Sequence, residues 1–160
     1  MRGIDQALVD EVWRETAAYP PGRVEAEAGA FLAQQPHVAA FAQAMTREQG
    51  AAVQKAALGL CFLLFKTLER SLGRPFPPLA EARILEAHEA TTEWLRRTEA
   101  GDPAAVLSAA DDPSHRTLVG YILGVFYGGA AAEYDERVRA TLFLMLRTLS
   151  DALDLGEVEA

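Results

Sequence analysis

Ten consecutive residues between Lys55 and Lys66, Ala-Ala-Leu-Gly-Leu-Cys-Phe-Leu-Leu-Phe, present no polar side chain to any side of a helical wheel. A second stretch, Thr117 to Ala132, behaves the same way. A helix apolar all round is stable only when other helices, a bilayer or a second subunit enclose it. The two stretches therefore predict an all-α bundle with two central, fully apolar helices wrapped by the rest of the chain.

The chain is long enough to do the wrapping. At 160 residues it reads as one helical domain spanning 1–160. A domain of this size buries roughly 70% of the surface its unfolded chain exposes. The run between Lys55 and Lys66 is short of the ~20 residues that span a bilayer. Thr117–Ala132 comes nearer, but it carries glycines at helical spacing and is flanked by Arg116 and Glu133. Core helices are expected in both places, with no membrane partner. The first residues, Met-Arg-Gly-Ile-Asp-Gln, lack the apolar core of a secretory signal. Together with a single cysteine, Cys61, this points to a cytoplasmic protein.

Elsewhere the chain has helical period, punctuated by Pro and Gly. Asp5 is placed to cap a first helix to about Ala18, ended by Tyr19-Pro-Pro-Gly22. Val24 to Gln34 makes a second helix, and Pro36 opens a third that carries Val38, Phe41, Ala42 and Met45 inward. The central helix runs from about Glu48 to Leu72, with Lys55, Lys66 and Glu69 on its one wet strip. Gly73-Arg-Pro-Phe-Pro-Pro78 stops it and divides the chain into two halves. Leu79 to Glu99 forms the next helix, and a short one follows Asp102-Pro103. Thr117–Ala132 comes next, and Asp135 opens the last helix, to about Leu155. The expectation is a bundle of about seven helices.

Charge narrows the partners. A net charge of -8 and a pI near 4.9 argue against nucleic acid, whose phosphates demand clustered Lys and Arg.

The candidate chemistries are few. Glu86, Glu89 and Glu93 share a helix face, but His88 points nearly opposite to Glu86, and no second Glu-x-x-His completes a di-metal set. A solvated acidic face is the expected reading, with neither metal nor cofactor. Cys61 sits among Leu, Gly and Phe, a setting that raises a thiol's pKa and makes it inert. Ser114 and His115 are adjacent, so on a helix their side chains diverge by roughly 100° and cannot pair. No Gly-x-Ser-x-Gly elbow and no nucleotide-binding glycine loop is present. His88, on an apolar helix face, is the one group a haem or small ligand could use, in a pocket shared with Tyr121 and Tyr127.

Two features point to association instead. Gly120, Gly124 and Gly128 recur every fourth residue, and each interior glycine costs a helix ~1 kcal/mol relative to alanine. Such a strip invites a closely packed neighbour, expected to be the central helix of the same chain or, failing that, a subunit or ligand. The last helix has its stripe in Val138, Leu142, Met145, Leu146, Leu149 and Leu153, yet Phe143 and Leu144 lie off it. These two residues are expected to lie in a homodimer contact, with Arg147 and Asp151 at its rim. The leading functional expectation is a non-enzymatic binding or adaptor module acting through protein–protein contacts. The ligand-binding reading at His88 comes second and an enzyme third.

Overall fold

A computed structural model of the chain describes residues 4–97, 118–130 and 134–153. Among these residues there are seven α-helices and no strand. They are α1 (Gln6–Ala17), α2 (Pro21–Gln34), α3 (Pro36–Thr46), α4 (Ala51–Leu72), α5 (Glu81–Arg97), α6 (Leu118–Ala130) and α7 (Glu136–Ala152). The short helix expected after Asp102-Pro103 lies outside the described residues.

The helix ends follow from local chemistry. The Leu8 amide donates to Asp5 Oδ1 at 2.9 Å, and the Val138 amide donates to Asp135 Oδ1 at 2.8 Å. Each carboxylate satisfies an amide that the first turn leaves without a partner. Prolines occupy the first turn of α2 and α3, where no amide hydrogen is required. α4 starts later than its periodicity suggests, because Arg47–Gln49 form a 3-10 turn and Gly50 breaks the chain direction at φ +94°. Its far end is closed by Gly73 at φ +71°, whose amide donates to Glu69 O at 2.8 Å. Both conformations favour glycine because other residues carry a Cβ.

α4 is the hub. It packs against α1, α3, α6 and α7, and Leu60, Cys61, Leu63, Leu64, Phe65 and Leu68 are all buried. By length and composition it could cross a bilayer, but half of its apolar window is buried by these neighbours. α7 is the second inner helix, in contact with α3, α4, α5 and α6, with Leu142, Met145, Leu146 and Leu149 fully enclosed. α6, expected to be the other enclosed helix, buries Leu118, Val119, Ile122 and Leu123 on one side and leaves Gly124 exposed on the other.

The connection 73–80 is irregular, as the prolines dictate, and side-chain amides hold it. Gln35 is 2% exposed; its Nε2 donates to Pro77 O at 2.9 Å, and its Oε1 accepts from the Leu79 amide at 2.8 Å. Gln34 Nε2 donates to Phe76 O at 3.0 Å. A second tie joins α1 to α4, where Arg70 donates to both Glu11 and Glu15. This bond holds the Glu15 carboxyl below its ordinary value.

Gln35→Leu keeps the volume and removes both amide partners. It is expected to destabilise the fold by about 1–3 kcal/mol for each buried backbone group left unpaired, read from urea midpoints. A change within ~0.5 kcal/mol would show that the clamp contributes little.

Candidate functional site

Two cavities bear on function. One, of about 440 Å³, is an apolar groove between α1, α2, α4 and α6. Its floor is the strip of α4 that starts at Lys55: Lys55 and Gly59 are exposed there and Phe62 half-buried, with Lys66 one turn beyond. The positions expected to be wet thus enclose a glycine and an aromatic ring. A Cβ built on Gly59 would meet nothing within 4 Å, so the missing side chain leaves open space.

The walls are large and apolar. Trp13 of α1 stands on one side, Val24 and Leu32 of α2 on another, and Phe126 of α6 contributes a ring. Trp13, Val24 and Leu32 keep 38%, 48% and 39% of their surface in water, which makes them three of the four exposed large hydrophobic side chains among the described residues. α2 has no buried residue along its whole length. It is held over α4 chiefly by Phe31, whose ring meets Phe62 edge-on at 5.8 Å and Phe65 at 5.6 Å.

The charges around the groove are unequally placed. Glu27 lies 3.6 Å from Lys66 and 3.7 Å from Arg23, whose guanidinium stacks 4.0 Å above the Tyr19 ring. With Arg70, Glu11 and Glu15 beside them, three cations face three carboxylates at this end. Lys55, at the other end, is exposed and pairs with no carboxylate among the described residues.

The second cavity, of about 660 Å³, is polar and lies between the 3-10 turn and the start of α7. Asp135, Thr141 and Gln49 Nε2 are engaged within it, while Gln49 Oε1 is buried without a hydrogen-bond partner. Asp135 caps α7, Gln49 Nε2 donates to Thr141 Oγ1 at 3.0 Å, and Arg47 and Arg137 balance Glu48 and Asp135. A solvated cleft accounts for it.

The residues singled out by sequence fall elsewhere. His88 is half-buried on α5 with its imidazole 5.5 Å from the Phe41 ring of α3, and its Nδ1 is buried without a hydrogen-bond partner. Tyr121 packs on the core from α6, a helix that meets α1, α4 and α7, whereas α5 meets α3 and α7. Neither of these two cavities is lined by His88 or Tyr121. The side-chain surroundings of Tyr127, Gly120 and Gly128 lie outside the described residues. Gly124 is exposed, and a Cβ there would meet nothing within 4 Å, so no helix among the described residues uses it for close approach.

Glu86 and Glu89 are exposed, and Glu93 pairs with Arg96 at 2.9 Å. No three of His, Cys, Asp and Glu among the described residues are grouped to hold a metal. Cys61 is fully buried, its Sγ 3.9 Å from Met145 Sδ, and burial pushes its thiol up to about 12. The apolar face expected at Phe143 and Leu144 is covered within the chain: Phe143 is 5% exposed and Leu144 packs against the core. α5 packs along α7, and Arg147, expected at the rim, stacks 3.7 Å over the Trp94 ring of α5.

No family model, curated protein or solved structure matches this chain.

Two outcomes follow for the buried residues. Phe143→Ala is expected to cost about 3–5 kcal/mol, as deletion of a core ring does; a shift in sedimentation with unchanged stability would mark Phe143 as an interface residue instead. Cys61 is expected to resist a thiol reagent in native buffer and to react fully in denaturant. Labelling at equal rates in both would contradict its enclosure.

Proposed function

We propose that the chain is a non-enzymatic binding protein whose working element is the groove over Lys55–Phe62, and that its guest is an apolar or amphipathic small molecule. The observation that carries this reading is the coincidence of an open apolar channel with a helix, α2, that buries none of its own residues. The channel's volume of about 440 Å³ falls in the range of small-ligand sites. A protein partner asks for more: specific interfaces bury roughly 1,200–2,000 Å² in total. Three of the four exposed large hydrophobics described here already belong to the groove, and Leu85 is the fourth. Phe143 is buried within the chain and Leu144 half-buried, which gives a homodimer contact there little apolar surface.

Gly59 gives a clean test. Leucine is favoured over glycine in a helix interior by roughly 1 kcal/mol, and here its side chain enters open space. Gly59→Leu therefore keeps the fold and fills the groove. In a Trp94→Phe background, Trp13 is the sole tryptophan. Its emission is expected to shift to shorter wavelength and saturate on titration with 1-dodecanol, and Gly59→Leu is expected to abolish the response. No response in the parent protein, or an equal one in Gly59→Leu, would overturn the proposal.

A further inference from the structure

We infer that the groove's guest is a single-chain amphiphile with an anionic head, its tail laid along α4 and its head at Lys55. This inference rests on the groove being a binding site and adds the chemistry of what enters it. Three observations set that chemistry.

The first is shape. The α4 residues that line the groove run from Lys55 to Phe62, about 10 Å along the helix axis. Gly59 lies between them, with Trp13 and Leu32 in the walls, so the apolar space follows α4. A linear chain fits such a channel better than a fused ring system.

The second is the asymmetry of charge. The Lys66 end is closed electrostatically, because Glu27 answers Arg23 and Lys66 while Arg70 is held by Glu11 and Glu15. A charged head arriving there would have to displace an existing pair. At the other end, Lys55 offers an ammonium without a competing partner. Its methylene stem can lie on the apolar floor while the ammonium stays at the mouth, the usual habit of lysine beside apolar surface.

The third is the background charge. The chain carries a net -8, so it repels anions at long range. At physiological salt, fields decay over about 8 Å, and a local cation then decides the sign felt by a head group at the mouth. A cationic amphiphile would find acidic surface in many places and have no reason to choose this groove.

The test compares heads on a common tail. Dodecanoate, 1-dodecanol and dodecyltrimethylammonium are titrated as monomers against the full-length chain carrying Trp94→Phe, with Trp13 emission as the readout. The same titrations are run with Lys55→Gln and Lys55→Glu, and circular dichroism checks that each variant is folded. Lys55 is exposed and no buried contact depends on it, so both variants are expected to fold. Lys55→Gln is expected to weaken dodecanoate about two- to fivefold, the range an exposed ion pair supports, and to leave dodecanol unchanged. Lys55→Glu is expected to weaken dodecanoate further and to strengthen dodecyltrimethylammonium. Loss of affinity shared equally by all three heads, or by none, would overturn the assignment of the head to Lys55 while leaving the groove as the site. Failure of all three to bind the parent protein, or binding undiminished by Gly59→Leu, would remove the groove reading itself.

Discussion

A helix apolar on all but one narrow strip must be covered, and α1, α3, α6 and α7 are placed by how they cover α4. α3 takes one side, α1 and α6 another, and α7 closes the interior with Met145 against Cys61. Burial of aliphatic side chains such as Leu60, Leu64 and Leu68 is worth roughly 1.5–3 kcal/mol each, far more than any surface ion pair here can contribute. α7 is covered in turn by α5, which would otherwise rest on little. The Gln35 amide then fixes the one connection whose prolines leave backbone groups with few partners.

The cover is incomplete along a single strip, and the binding proposal starts there. Lys55 and Lys66 keep the strip in contact with water, and Gly59 leaves it hollow. α2 lies over it without burying a residue, fixed at one end by the Gln34 and Gln35 side-chain bonds and along its length by Phe31. An apolar hollow under a lightly held helix is favourable ground for a guest, because filling it removes Trp13, Val24 and Leu32 from water without breaking the core.

Much of the fold was legible in the sequence. The all-α class, the aspartate caps at Asp5 and Asp135, the proline start of α3 and the break after Leu72 all follow from residue-level rules, whereas α2 begins at Pro21, ahead of the Val24 that the sequence suggests. The start of α4 was set too early, at Glu48, because periodicity continues through Gly50 while the backbone does not. α6 and α7 both pack against α4, and among the described residues α7 also meets α3 and α5. Apolarity alone favours Thr117–Ala132 over the last helix, yet enclosure depends on which faces meet neighbours. The same limit applies to Phe143, which lies off the apolar stripe of its own helix yet is buried within the chain. The groove was half visible. Lys55, Lys66 and the absence of a side chain at Gly59 stood in plain view, but nothing in one helix reveals that α2 would bridge the strip instead of filling it.

Native-state hydrogen exchange, resolved by helix, tests this arrangement most directly. If α4 and α7 form the inner pair and α2 is lightly held, amides near Leu64 and Leu146 exchange only through global unfolding. Those near Ala28 then exchange through a local opening of clearly lower free energy. Protection of α2 equal to that of α4 would mean that α2 belongs to the cooperative core, and it would contradict both the hub and the loosely covered groove.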